Sequence, residues 1–353
     1  MEENIRLSAT NEKCKNCGGD LIFNPKTQNL DCEKCGSSFP FTMIKRIEKK
    51  QYHRGIPNQD TLAWARQEKK VKCQTCGADI DLFGLAFTTR CPYCESNYVS
   101  DVNQLPGLKP DAVVPFAFDE EEALIKFQEG IRKKFFVPRN FKKKLPKNKM
   151  IGVYVPTFNF DMDTSTTYRG TLERTITVQR GKETVRKTER FNISGTKDMI
   201  HRNYVIESAD NVNDKQITSL LPYDFDKSYE YNADFMRGHI AKHYDNNLDN
   251  CHDLAVKKIE EIIKANILKQ YDYDRVVSYQ QNSVYSNEAY IYRFLPLYNF
   301  VFDYNKKQYT VVMNGQTGKV GKGLPISPLK VSLVVLLILI IIGLFIVLFM
   351  MGD

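Results

Sequence analysis

Apolar residues fall into three periods along this chain of 353 residues. The longest uninterrupted run is VSLVVLLILIIIGLFIVLFMM, Val331 to Met351, which carries no charge. As a helix it spans about 31 Å, the hydrocarbon thickness of a bilayer. A soluble helix keeps a polar face and this one has none, so the pattern predicts one transmembrane helix over 331–351. A helical period also joins Leu254, Ile259, Ile262, Ile263 and Ile267, from about Asp249 to Lys269. Asp119 followed by Glu120, Glu121 and Glu122, with Leu124, Phe127, Ile131 and Phe135 on one face, predicts a second such helix, N-capped by Asp119 and stopped by Pro138.

The third period is that of strands. Residues 151–205 are β-branched and aromatic, with a turn signal at Arg180-Gly181-Lys182, and predict antiparallel strands. Strands resume at Tyr290 to Tyr304 and Tyr309 to Val312, around an Asn305-Lys-Lys turn, and Asn314-Gly315 opens another. Tyr154-Val-Pro-Thr-Phe-Asn-Phe160 resembles Phe294-Leu-Pro-Leu-Tyr-Asn-Phe300. A proline inside each apolar run predicts edge strands or bulges, and the likeness suggests an old repeat. The fold expected over 107–325 is an α+β domain with antiparallel strands.

Cysteine spacing adds a different kind of unit. Cys14-Lys-Asn-Cys17 and Cys32-Glu-Lys-Cys35 are fourteen residues apart, and so are Cys73-Gln-Thr-Cys76 and Cys91-Pro-Tyr-Cys94. An offset of 59 superposes the two sets and aligns Cys17-Gly-Gly-Asp-Leu with Cys76-Gly-Ala-Asp-Ile. Each set predicts a zinc ribbon with four cysteine ligands, because two residues between cysteines let one tight turn aim both sulfurs at a metal, and two such knuckles complete a tetrahedral shell. Two structural zinc ions are expected, one on Cys14, Cys17, Cys32 and Cys35 and one on Cys73, Cys76, Cys91 and Cys94; rubredoxin-type iron uses similar knuckles. The organisation expected is multidomain: ribbon 1 over 1–42, a basic linker over 43–72, ribbon 2 over 73–106, the α+β domain over 107–325, and the transmembrane helix over 331–351.

Charge refines the picture locally. The formal net charge is +8, falling to roughly +4 if two four-thiolate zinc shells fill. The linker holds nine basic and three acidic residues together with Trp64, the single tryptophan. From Lys126 to Lys149 there are ten basic residues and one acid, interleaved with Phe127, Phe135, Phe136 and Phe141. Arg132, Lys133, Lys134, Arg139, Lys142, Lys143, Lys144 and Lys147 are therefore candidates for an anionic surface, either lipid headgroups or a phosphate backbone. The ribbons themselves are neutral to acidic, which suits docking of a protein better than contact with nucleic acid.

Lys319, Lys322 and Lys330 precede the apolar run and only Gly352 and Asp353 follow it. A tail-anchored, single-pass protein of the cell membrane is expected, with its N-terminus cytoplasmic by the positive-inside bias and a short stalk from Leu324 to Lys330. The start, MEENIRLSATNEK, has no apolar signal-peptide core. In a reducing compartment the cysteines read as metal ligands and not as disulfides. No enzyme is expected. The Gly315-to-Lys322 stretch misses the register of a phosphate loop, and Ile240 stands between His239 and His243 where a zinc protease needs glutamate. Cys251 and His252 are neighbours and point apart on a helix, so Cys251 reads as a core thiol.

The duplicated CxxCG knuckles, Gly152-Val-Tyr-Val-Pro156, Pro222-Tyr-Asp-Phe225 and Asn314-Gly-Gln-Thr-Gly-Lys-Val320 before an apolar helix resemble a bacterial family of TFIIB-type zinc-ribbon membrane proteins. Members are often labelled primosomal helicase-like, although this sequence contains no helicase motor. The resemblance implies metal ligation by the eight paired cysteines and association with phage-shock or flotillin-like membrane scaffolds. The function expected is a membrane adaptor that docks a protein partner; a membrane-tethered nucleic-acid binder is the alternative.

Overall fold

The computed structural model describes residues 5–6, 9–10, 13–55, 69–72, 79–82, 88–90, 97–100, 108–143, 150–180, 183–209, 214–241 and 244–351. β1 (Ile5–Arg6) and β2 (Ala9–Thr10) precede an antiparallel sheet of β3 (Leu21–Asn24), β4 (Asn29–Cys32) and β5 (Ser38–Phe39). After β6 (Lys50–Gln51) come β7 (Lys69–Lys72), β8 (Asp79–Leu82), β9 (Thr88–Arg90) and β10 (Asn97–Ser100). The backbone repeats the cysteine duplication: Leu30 faces Phe39 as Thr89 faces Tyr98, and Lys13 faces Asp20 as Lys72 faces Asp79. β1 and β2 pair with β7 and β10 and not with the sheet of β3, β4 and β5.

The remainder forms one eight-stranded sheet. Its strands are β11 (Ala112–Val113), β12 (Ile151–Arg180), β13 (Glu183–Glu207), β14 (Tyr229–Glu230), β15 (Ile240–Ala241), β16 (Arg275–Tyr304) and β17 (Lys307–Asn314), together with β6. The helices are α1 (Glu120–Lys133), α2 (Arg139–Lys143), α3 (Asp214–Leu220), α4 (Leu248–Leu268) and α5 (Pro328–Met351). α1 ends before Phe135, and Pro138 opens α2 instead of closing a helix. On one face of the sheet Tyr154, Phe158, Phe160, Tyr292, Phe294 and Tyr298 share a core with Phe127 and Ile131 of α1 and Ile259 and Ile263 of α4. On the other, Val155, Leu295 and Leu297 meet Ile217 and Leu220 of α3. The buried stripe of α4 is Cys251, Ala255, Ile259, Ile263 and Ile267, in steps of four, leaving Leu254 and Ile262 exposed.

This body is a β-α-β-β unit repeated twice. β11, α1, β12 and β13 correspond to β15, α4, β16 and β17, and the likeness reaches single hydrogen bonds. Asp119 caps α1 through the amide of Glu122 at 2.9 Å, and Asn247 caps α4 through that of Asn250 at 2.8 Å. Ala117 N donates to Gly315 O as Asp245 N donates to Ser208 O. Ser208 N donates to Pro156 O as Gly315 N donates to Pro296 O. Each short first strand lies parallel to the long strand of the other unit, β11 on β16 and β15 on β12.

The two proline motifs are the axis of this arrangement. Tyr154 faces Pro296 and Pro156 faces Phe294, so the like segments run antiparallel against each other in the middle of the sheet. The expectation of edge strands is corrected here, and the physical reason is a change of neighbour. β12 pairs with β15 at Val153–Tyr154 and with β13 from Thr157 onward, which leaves Pro156 at the seam. β16 pairs with β11 at Arg293–Phe294 and with β17 from Leu297, which leaves Pro296 at the equivalent seam. A residue without an N–H costs no ladder bond where the ladder changes partner.

Among the described residues, α5 is the one helix long and apolar enough to cross a membrane, with mean hydropathy 2.8 over Pro328–Phe345 and none of that stretch buried.

Candidate functional site

Two knuckles of the same geometry bring the first four cysteines together. Cys14 N donates to Gly19 O and Gly18 N to Cys14 O, each at 2.8 Å; Cys32 N donates to Ser37 O at 2.8 Å and Gly36 N to Cys32 O at 2.9 Å. Gly18 and Gly36 close these turns at φ of 71° and 72°, a region that glycine alone enters without strain. The four Sγ atoms lie within 4.8 Å of one another, with Cys14 to Cys35 and Cys17 to Cys32 both at 3.5 Å. A tetrahedron with metal–sulfur bonds of about 2.3 Å has edges of about 3.8 Å, so the donor set fits a metal ion of zinc's size and coordination. Ser37 donates to Cys35 and holds its thiol down at about 6. The Gly19 amide pulls the Cys17 thiol down, but Cys35, burial and the other sulfurs together carry it up to about 12. A metal binding all four as thiolates would remove that competition for protons. Cys73, Cys76, Cys91 and Cys94 lie outside the described residues, as do Trp64, Lys144 and Lys147.

The cysteine hairpins are not a separate bead. Leu21, Phe23 and Leu30 belong to the main core. Phe23 packs edge-on against Phe41 at 6.0 Å and Phe235 at 5.3 Å, and its amide donates to Arg237 O. Gln28 Nε2 reaches Phe116 O at 3.1 Å, and Lys26 pairs with Asp119, the cap of α1. The segment expected as a linker is, over residues 43–55, a strap along the sheet. Lys50–Gln51 pair with β16, Lys49 meets Asp161, Lys50 meets Asp111, and Tyr52 stacks on His252 at 3.9 Å while donating to Asp249 at 2.9 Å. Of the strap's basic residues, Lys49, Lys50 and Arg54 meet carboxylates of the body at Asp161, Asp111 and Asp253, while Arg46 pairs with Glu48 of the strap itself.

The second charged segment divides in two. Arg132, Lys133, Arg139 and Lys143 are exposed. Lys134 turns inward, donating to Val320 O at 3.1 Å and Gly321 O at 3.3 Å; burial, then the nearby Lys319, lowers its pKa. Lys142 is half-buried on Arg132 O at 2.7 Å. Lys134 also lines a cleft of about 960 Å³ with Lys258, Lys319, Lys322, Glu261 and Ser219.

What sequence reasoning missed is the contact of this segment with α5. Lys330 donates to Phe135 O at 2.7 Å and Val137 O at 2.8 Å, and Ser327 N donates to Phe136 O at 2.8 Å. The expected stalk is therefore docked over its last residues. No periodicity marks Lys330 as anything but a flanking cation, and the signal available was only two adjacent phenylalanines beyond the end of a helical stripe.

The histidine and motif readings resolve as packing. His239 sits in a turn before β15, not on a helix, with its ring stacked on Phe116 at 4.3 Å; burial pushes it down to about 3. Gly152 makes room for it, since a Cβ there would lie 2.6 Å from His239 Nδ1. His243 lies outside the described residues, and Cys251 is a core thiol. Pro222–Phe225 and Asn314–Val320 meet each other: Tyr223 Oη donates to Pro296 O, Asn314 Nδ2 to Leu220 O, and Gln316 exchanges bonds with the backbone of Asp224. They clamp the second proline seam.

No family model matches the chain, and no solved structure matches it. It is similar to a protein of Bacillus subtilis (strain 168) described as uncharacterized protein YdjG, 25% identical over 323 residues that cover 91% of each chain.

Proposed function

We propose that this protein is a membrane-anchored zinc-ribbon adaptor: α5 crosses the bilayer, the eight paired cysteines hold two structural zinc ions, and the ribbons dock a protein partner on the cytoplasmic side. The observation that carries the reading is the placement of α1. Its N-terminal end, at Asp119, bears the cysteine hairpins through Lys26, and the loop beyond its C-terminal end bears α5 through Lys330. Fourteen residues of helix separate the two attachments, about 21 Å of rigid rod. A metal knuckle held at that distance from the anchor is a docking platform and has no open ligand position for catalysis. Exposed Arg132, Lys133, Arg139 and Lys143 lie toward the anchor end, where anionic headgroups would meet them. The partner class suggested by the family resemblance is a phage-shock or flotillin-like scaffold.

The test is co-purification from solubilised membranes with the full chain and with Cys32→Ser, each with and without nuclease. A partner protein that follows the wild type, survives nuclease and is lost with Cys32→Ser supports the adaptor. Co-purifying nucleic acid whose loss removes all partners overturns it in favour of the nucleic-acid binder.

A further inference from the structure

Phe135 and Phe136 stand out from the surface beside the first turn of α5. Their side chains are 61% and 44% exposed, and Ile326 at 66% and Leu329 at 70% extend the same apolar group. The loop that carries them is not loose. Val137 and Phe141 on its far side are buried, the Phe141 ring lying 4.9 Å from Phe302 and 5.2 Å from Tyr304. Three hydrogen bonds tie its carbonyls to the start of α5, two of them from Lys330 and one from the amide of Ser327. The Lys330 ammonium also lies 5.3 Å from the centroid of the Phe135 ring. A cation in the first turn of a helix opposes the helix dipole. Lys330 turns away from the helix and spends its protons on the loop, which fixes the loop at the level where the apolar run begins.

We propose that Phe135 and Phe136 are an interfacial wedge, buried in the headgroup and upper acyl region of the bilayer that α5 crosses, and that Lys330 latches the wedge to the anchor so that the body keeps one orientation on the membrane. This rests on α5 crossing the membrane as read above. The bilayer is the occupant because the patch is continuous with the membrane helix, and a loop whose carbonyls accept hydrogen bonds from that helix's first turn cannot lie far from the interface. Aromatic side chains with flanking cations are what such an interface accepts, and Arg132, Lys133, Arg139 and Lys143 provide the cations. The wedge also replaces a swinging tether with two points of contact.

The test uses the full chain in liposomes of phosphatidylcholine and phosphatidylglycerol, with Trp64→Phe removing the single native tryptophan and Phe136→Trp placing a probe in the wedge. The expected result is blue-shifted emission, weak quenching by aqueous acrylamide, and quenching by acyl-chain bromines that is stronger near the headgroup than near the terminal methyl. Adding Lys330→Gln should cut the bromolipid quenching several-fold while the chain stays resistant to carbonate extraction. Emission open to acrylamide in a carbonate-resistant chain overturns the wedge and leaves the anchor standing. Release by carbonate overturns both. Shielding from acrylamide without bromolipid quenching overturns it too, since the patch is then covered by protein, a second copy included. The side chains replaced at 135 or 136 are exposed, so folding is not at stake, and Phe135→Trp repeats the measurement at the neighbouring position.

Discussion

The chain contains two duplications built on different physics. In the cysteine hairpins the repeating unit is small, its ligands sit at fixed intervals, and the offset of 59 is plain in the sequence. In the sheet the repeating unit is a whole β-α-β-β motif, and it is nearly silent in the sequence although it governs the caps, seams and backbone bonds of the fold. The difference lies in what each kind of bond demands. A metal shell accepts only a few ligand types within a narrow range of spacings. A hydrophobic core accepts any side chains of suitable volume, so Phe127 of α1 answers to Ala255 of α4 and Ala123 to Cys251 without loss of packing. The record survives at few positions: the N-cap residues Asp119 and Asn247, Pro156 and Pro296, and the Asn-Phe pair after each proline, Asn159-Phe160 and Asn299-Phe300.

The sharpest way to separate the duplications is to break the proposed metal shell. Zinc binding to small ribbons is worth about 10–16 kcal/mol of apparent free energy and is coupled to their folding. Cys32→Ser should reduce bound zinc from two equivalents to one and speed amide exchange across residues 13–39, with β12 and β16 still protected. Because Leu21, Phe23 and Leu30 share the main core and Gln28 bonds to Phe116 O, the body should soften only where the hairpins meet it, around Phe116 and Phe235. Elemental analysis and hydrogen exchange on the same sample check this, and loss of protection along β12 would show that the two duplications fold as one unit.

Next in size are the equivalent core residues on either side of the seam. Tyr154 and Phe294 are both fully buried, with ring centroids 6.3 Å apart. Each truncation to alanine should cost about 3–5 kcal/mol in denaturant unfolding. The double variant should cost less than the sum, because the cavities merge. Strict additivity would mean that the two units pack independently.

His239 joins the duplications, and its effect depends on pH. Its ring lies between Phe116 of the first unit and Phe23 of the cysteine hairpins, at 4.3 and 6.4 Å. Burial lowers its pKa to about 3, so in the range from there to the ordinary value the unfolded chain binds a proton that the folded chain does not. Stability therefore rises with pH through that window and is lost on acidification. From pH 7 to pH 5 the loss from this residue should be about 2 kcal/mol, and His239→Leu should flatten that part of the curve.

The long apolar helix, the Asp119 cap of α1 and the Asn305 turn between β16 and β17 were legible in the sequence, because length, capping and turn chemistry are local, whereas the Asn247 cap of α4 was not read. The central place of the prolines was not, since a rule about ladders cannot tell an edge from a seam until the neighbours are known. Nor was the strap over 43–55, where Lys49 and Lys50 look solvated until Asp161 and Asp111 come up beside them from more than sixty residues away in sequence. Within the candidate site the meeting of Cys14, Cys17, Cys32 and Cys35 was written in their spacing, whereas the latch at Lys330 depends on the carbonyls of Phe135, Phe136 and Val137 and the amide of Ser327, whose meeting no pattern of side chains records.

The smallest effect sharpens the comparison most finely, because it sets two equivalent residues of different charge against each other. Asn247 is a neutral cap, bonded to the amide of Asn250. Asp119 is a charged one that also receives Lys26 from the cysteine hairpins. Either residue changed to alanine should cost about 1 kcal/mol near neutrality. Burial raises the Asp119 pKa, but the Lys26 ammonium and the Glu122 amide outweigh it and the net shift is downward. Its extra stabilisation is thus present above the unfolded carboxylate pKa and lost as pH falls through the lower folded value. The deficit of Asp119→Ala should shrink on acidification and with salt, that of Asn247→Ala should not, and Asp119→Asn should behave as Asn247 does. Thermal melts of the three variants at neutral and acidic pH decide it. Equal pH dependence at both caps would mean that Lys26 contributes nothing, and that the cysteine hairpins are held on the body by their buried apolar side chains, Gln28 and the backbone.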